Sequence, residues 1–331
     1  MQNRKMEPVS GSPASTAERY RAFAEIEAPG LSAIFEEWAL GVADDPDVIR
    51  LIDELPSPKR QAILVFAAAR AAGAPLAGYS TVRAWLLDNW SAVRAIAEVR
   101  STQTNEPARC AVLLPILAAR PGPLALLEVG ASAGLCLLPD RYSYRYGDTH
   151  LDPEEGVSSV ILQPQISGAV PVPERMPEIV WRAGIDLNPL NVFDEADATW
   201  LETLVWPEHT ERLARLRAAL DIARSDPPRV IRGDAIDSLQ AVAAEAPAGA
   251  TLVVFHSAVL AYFAPDDRTR FVEKVTGLPG HWISCEGQKI LPTTAPNDGV
   301  DPALFAVNLD GTTLAYAGGH GQSLQWIGPA S

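Results

Sequence analysis

Cysteine is scarce in this sequence: three in 331 residues, Cys110, Cys136 and Cys285, far apart and with no CxxC pair. That spacing offers neither a disulfide framework nor a metal site, so no metal is expected, and the three thiols read as small buried hydrophobes of a reducing cytosol. Positive charge is also short, with 27 Lys and Arg against 41 Asp and Glu, a formal net charge of -14. Phosphate backbones and anionic lipid surfaces are bound by basic faces, which excludes nucleic acid and membrane from the expected partners and leaves a small-molecule substrate. No apolar run is long enough to span a bilayer. The longest, Thr251 to Ala264, is interrupted by His256 and Ser257. Internal repeats are missing, and the opening stretch Met1 to Ser15 is polar, with no apolar signal core, as expected of a disordered tail.

What is present is a globular composition, 47% hydrophobic and 21% charged, in a chain long enough for one large or two ordinary domains. Its centre is Leu124 to Leu138, LALLEVGASAGLCLL. An apolar run carrying one acid, Glu128, breaks into Gly130-Ala131-Ser132-Ala133-Gly134 and resumes with helix-forming residues, a strand, tight turn and helix. Gly130 and Gly134 lack a Cβ, so a ligand can approach the backbone closely, and a helix N-terminus offers unpaired N–H groups. The dinucleotide fingerprint GxGxxG fits poorly, because Ser132 and Leu135 stand at its second and third glycines. The nucleophile elbow GxSxG is matched by Gly130, Ser132 and Gly134, which makes a serine hydrolase using Ser132 with His256 or His320 one alternative. The third template is a methyltransferase glycine loop, with an acid two residues before the first Gly. Context favours it: helices rather than strands precede the turn, and a carboxylate beside a serine nucleophile opposes the oxyanion, whereas it suits a ligand bearing a sulfonium and an amino group.

Helical patterning runs from Thr16 through about Leu31 to Val42, Pro46 to Leu55, Pro58 to Ala72, Ser80 to Val99 and Pro107 to Ala119. These predict a helical domain over 16–120, followed by an α/β domain over 121–331. The polar linker Ser101 to Glu106 reads as a capped loop or as a segment whose Gln103, Asn105 and Arg109 face the glycine loop. An insertion at about 139–177 holds six prolines and a strand-like alternation, Arg141-Tyr142-Ser143-Tyr144-Arg145-Tyr146. It either shapes an acceptor pocket or forms a hairpin over a sheet edge.

Strand and helix then alternate. Glu178 to Ile185 leads into Asp186, a carboxylate at a strand tip suited to ribose hydroxyls or to capping the turn at Asn188-Pro189. Arg229 to Arg232 leads into Asp234-Ala235, where Asp234 suits an adenine amino group or a helix cap. Thr251 to Phe255 is apolar throughout, as a strand buried on both faces should be, and it delivers His256-Ser257 to the carboxyl edge of the sheet. His256 is the candidate general base or a structural histidine. Tyr262 is a candidate lining residue or core, and His320, in Gly318-Gly319-His320-Gly321, is a second base candidate. A fifth strand, His281 to Cys285, and terminal hairpin strands complete the pattern. The expected fold class is α/β, a mostly parallel Rossmann-like methyltransferase sheet with an antiparallel last strand.

The segments LLEVGASAGLCLLPDRYSY, WRAGIDLNPLNV, LVWPEHTERLARLRAAL and VVFHSAVLAYF, with TNEPARCAVLLPIL upstream, resemble the bacterial domain of unknown function 2332 family over nearly the whole chain. That family pattern more often has Asn where Cys136 stands and Asp where Asn191 stands. The resemblance implies an S-adenosylmethionine methyltransferase-like fold. By similarity to that wider class, Glu128, Gly130, Ser132 and Gly134 would hold the methionine end of the cofactor, Asp186 the ribose, and Asp234 with Ala235 the adenine. The Asn-Pro-Pro-Tyr motif of nucleic-acid amino-methyltransferases is replaced by His256-Ser257-Ala258-Val259. The expected activity is methyl transfer to a small molecule, with a noncatalytic binding protein of the same fold as the further alternative.

Overall fold

The computed structural model describes residues 15–294 and 299–329. The expected N-terminal tail therefore lies outside the described residues except for Ser15, which caps the first helix in a reciprocal box with Glu18. The chain forms two compact units, one of residues 1–103 and 199–212, the other of 104–198 and 213–331. The boundary thus falls at 103/104 rather than at 120, and a short segment from the middle of the chain counts with the helices.

In the first unit, α1 (Thr16–Ala22), α2 (Ala33–Ala43), α3 (Pro46–Ile52), α4 (Ala62–Ala71) and α5 (Tyr79–Val99) follow the expected periodicity. Their apolar faces meet in an aromatic cluster, with Phe66 at 5.2 Å from Phe35 and 5.5 Å from Trp38 between ring centroids. Residues 199–212 join this unit because Trp206 packs tilted against the same cluster, 5.8 Å from Phe35, and the Arg70 guanidinium donates to Thr203 O and Val205 O. Glu208 accepts from Ser32 Oγ at 2.6 Å and from the Ile34 amide at 2.9 Å. Asp45 caps α3 and also takes the Tyr79 hydroxyl and the Arg83 guanidinium.

The second unit opens with α6 (Cys110–Ala118), buried from Cys110 to Leu117, as a helix that is apolar all round should be. The elements that follow in the chain, with residues 199–212 of α7 and α8 counted in the first unit, are β1 (Leu124–Val129), β2 (Ser143–Tyr146), β3 (Thr149–Leu151), β4 (Ile161–Leu162), β5 (Gln165–Ser167), β6 (Ile179–Asp186), α7 (Glu195–Leu204), α8 (Thr210–Ser225), β7 (Arg229–Arg232), α9 (Ala235–Ala243), β8 (Thr251–Ser257), α10 (Pro265–Thr276), β9 (His281–Gly287), β10 (Phe305–Leu309), β11 (Thr312–Ala317) and β12 (Ser323–Trp326). Nine strands form one sheet, in the order β5-β12-β11-β10-β9-β8-β1-β6-β7. Pairing is parallel from β7 to β9 and antiparallel from β9 through β12, with β5 parallel to β12 at the edge. The fold is mixed α/β with a large, mostly parallel sheet. The expected terminal hairpin strands are β10, β11 and β12, so three strands rather than a single last one run in an antiparallel meander.

Alternation along β1 divides the sheet. Ala125, Leu127 and Val129 join a core with α9 and α10, against Leu239, Phe271 and Trp282. Leu124, Leu126 and Glu128 point to the opposite face. The insertion is a small sheet, β3-β2-β4, plus the edge strand β5. Its tyrosines are buried and donate to backbone carbonyls, Tyr142 to Leu135 O, Tyr144 to Pro139 O and Tyr146 to Ala111 O, all at 2.6–2.7 Å. The aromatic alternation therefore anchors backbone turns and α6, and it is the single strand β5, not the β2–β3 hairpin, that adds to the sheet edge at β12.

The helix expected after the glycine loop is absent. Leu135–Leu137 make a single 3-10 turn and Pro139 starts another. A residue preceding proline is held away from α geometry, and Leu138 accordingly sits at φ -114°, ψ 38°. Arg182 on β6 secures this stretch, donating to Leu137 O and pairing end-on with both Asp140 oxygens at 3.0 Å.

Candidate functional site

The chain runs from β1 outward to β6 and β7, then returns to place β8 on the other side of β1. Loops leaving β1 and β8 therefore diverge at one point of the carboxyl edge, where open α/β sheets bind ligands. Backbone strain collects at the same point. Ser132 (φ 53°) and Ala258 (φ 58°), one in each loop, are two of the three non-glycine residues with positive φ among the described residues. Such strain persists only where its surroundings enforce it.

The loop after β1 is enforced from several directions. The Gly130 amide donates to Ile185 O at 2.8 Å, and the Ser132 amide donates to Asp186 Oδ2 at 2.8 Å. Asn105 meets both ends, donating through Nδ2 to Ala131 O and accepting the Leu135 amide on Oδ1. Gly130 (φ 73°) and Gly134 (φ 75°) require their missing side chains: a Cβ would stand 2.4 Å from Val259 Cγ2 in the first case and 2.6 Å from Pro228 Cγ in the second. Ser132 is 2% exposed and its Oγ has no hydrogen-bond partner.

Asp186, half-buried at the tip of β6, also accepts the Asn188 amide on Oδ1 at 2.7 Å. It holds the glycine loop and its own turn at once. Asp234 caps α9, taking the Ile236 and Asp237 amides on Oδ1, so the cap alternative describes that oxygen, and Ala235 begins the helix.

The loop after β8 is held by Glu286. Its Oε1 accepts from the Val259 amide at 2.9 Å, the Leu260 amide at 3.0 Å and His256 Nδ1 at 2.7 Å. Burial raises this carboxyl, but the His256 hydrogen bond and the two amides outweigh it and keep Glu286 below the usual carboxylate range. Trp282 Nε1 donates to His256 Nε2 at 3.1 Å. An indole N–H only donates, so Nε2 is the acceptor and Nδ1 carries the hydrogen. His256 is fully buried with both ring nitrogens engaged. The expected general base is thus a structural histidine on the α9/α10 face, joining β8, β9 and the loop between β8 and α10. Tyr262 is not core: it is 73% exposed.

On the opposite face, Glu128 is 6% exposed, with no hydrogen-bond partner for Oε2. Burial lifts its carboxyl well above the usual range, Cys136 and Asp186 add to the rise, and Arg109 opposes it. Arg109, itself 7% exposed, donates through Nε to Gly319 O at 3.0 Å and through Nη1 to Ser257 O at 3.1 Å. It therefore faces the β8 and β11 ends rather than the glycine loop. Through Gly319 it fixes the loop carrying His320 at the same edge. Gln103 belongs to the helical unit.

A family model described as an uncharacterized protein conserved in bacteria, domain of unknown function 2332, matches residues 17–326. The chain belongs to that family. Comparison with curated proteins and with solved structures finds no match. In this member of the 2332 family, two relationships escape sequence reasoning. The Trp282, Glu286 and His256 network carries a weak signal, since Trp282, Ser284 and Glu286 alternate onto one face of β9. The approach of Cys110 to Cys136, where the Cys110 thiol donates to Cys136 O at 3.6 Å and the Cys136 thiol to Glu106 O at 3.4 Å, carries none.

Proposed function

We propose that the carboxyl edge at β1 and β8 binds S-adenosylmethionine and directs its methyl group to a small-molecule acceptor. One observation carries this: the sheet reverses its strand order between two strained loops, and Asp186 at the neighbouring strand tip is hydrogen-bonded to the first of them. The residues suit such a ligand. An ionised carboxylate has about four acceptor positions, so each Asp186 oxygen keeps one for a ribose hydroxyl after taking one amide. Glu128 supplies an orphaned buried oxygen beneath the loop, matched to an ammonium group.

The cofactor, when bound, supplies an electrophilic methyl group. This chain's part is to orient and exclude water, and positioning alone can contribute several kcal/mol, on the order of 7–11, to such a transfer. Asp186 and the loop backbone fix one partner. His320, on the loop anchored by Arg109, takes the proton from an acceptor that must lose one. The net charge of -14 supports a small acceptor over a polyanion. Incubation with methyl-labelled S-adenosylmethionine and a panel of small metabolites tests this directly, and label in an acceptor, lost in Asp186→Ala, is the expected result.

Binding without transfer is favoured by one observation, that His256 offers no free ring nitrogen. It predicts ligand binding with no labelled product. The serine hydrolase alternative has less support, because the Ser132 hydroxyl meets no histidine.

A further inference from the structure

Arg109 is a buried guanidinium held by two carbonyl oxygens, and among the described residues no acid lies within ion-pair distance of it. Burying an isolated charge is costly unless it is paired. Among the described residues its side-chain partners are Ser257 O, after β8, and Gly319 O, after β11, which leaves the remaining N–H groups of the fork uncommitted. These anchors stand across the switch point from the glycine loop and Asp186, in the half of the crevice that the cofactor reading leaves for the acceptor. Glu128 interacts electrostatically with Arg109 without pairing to it, and its Oε2 is unpartnered.

We propose that Arg109 anchors a carboxylate on the acceptor, which makes the acceptor a small organic acid. A planar carboxylate matches the end of the guanidinium fork, whereas a phosphate dianion would need more donors. This rests on the carboxyl edge being the cofactor site, and it adds the chemical class of the second ligand.

The test is ligand-observed NMR on the full chain saturated with S-adenosylhomocysteine. Acetate, butyrate and benzoate are titrated beside their primary amides and inorganic phosphate. At least one carboxylate is expected to bind tenfold or more tighter than its amide, with the preference erased in Arg109→Gln and partly kept in Arg109→Lys. Equal binding of acid and amide, a preference for phosphate, or no binding by any carboxylate would overturn the proposal. Since Arg109 also ties two loops, protection in the wild type gives an answer independent of the variants: phenylglyoxal modification of Arg109 is slowed by the carboxylate and not by the amide, and equal rates would overturn it. Binding of S-adenosylhomocysteine, recorded before any acid is added, reports separately on the cofactor reading.

Discussion

Val259 packs so closely on Gly130 that a Cβ at residue 130 would stand 2.4 Å from Val259 Cγ2. The contact locks the loop after β1 to the loop after β8, and Gly130 also needs its positive φ. Gly130→Ala is expected to destabilise the protein by about 1–3 kcal/mol, from steric overlap plus an unfavourable backbone region. Adding Val259→Ala should recover the overlap part and leave the backbone part, which denaturant unfolding of the three proteins measures.

Ala258 holds a left-handed conformation that costs an L-residue about 1–2 kcal/mol, while glycine's greater freedom in the unfolded chain costs about 0.5–1. Ala258→Gly should therefore raise stability by roughly 0.5–1 kcal/mol. A loss of stability would mean that the methyl group is needed for packing more than its backbone is strained.

Glu128 binds a proton more tightly in the folded protein than in the unfolded chain, because burial lifts its carboxyl. Its contribution is full below the unfolded carboxylate range and is lost as pH rises toward the folded value, at about 1.4 kcal/mol for each pH unit. Glu128→Gln removes that slope. The variant should match or exceed the wild type in stability at neutral pH, read from melting temperatures between about pH 4 and 8.

Glu286 has the opposite sign. Its carboxyl is held low by His256 and two amides, so its contribution is present above the unfolded carboxylate range and is lost as pH falls through the folded value. Glu286→Gln should make acid unfolding shallower. His256→Phe, which strips a donor from an ionised buried carboxyl, should cost about 1.5–3 kcal/mol. If His256 were instead a solvent-facing base, His256→Phe would abolish activity with little loss of stability.

Much of the fold is legible in the sequence. Leu124–Val129, Arg229–Arg232 and Thr312–Ala317 lie where apolar runs and turn residues put them. The limits have physical causes. Leu135 to Leu138 have the composition of a helix start, but Pro139 comes before a second turn can form. The face taken by His256 is not legible, because a strand buried on both faces shows no alternation. Asp234 is ambiguous for another reason: the same residue at a strand end serves a cap and a ligand equally. The placement of residues 199–212 with the helices depends on Trp206 and Arg70, contacts far apart in sequence. Arg109 is legible as a candidate, but its carbonyl partners, 148 and 210 residues away, are not.

The central claim is that the switch-point edge binds S-adenosylmethionine. It is tested most directly by calorimetric titration of the full chain with S-adenosylhomocysteine, beside a Glu128→Ala, Asp186→Ala double variant with its fold checked by circular dichroism. Saturable micromolar binding to the wild type, lost in the folded variant, is the predicted result. No binding to the wild type, or equal binding by both proteins, would contradict it.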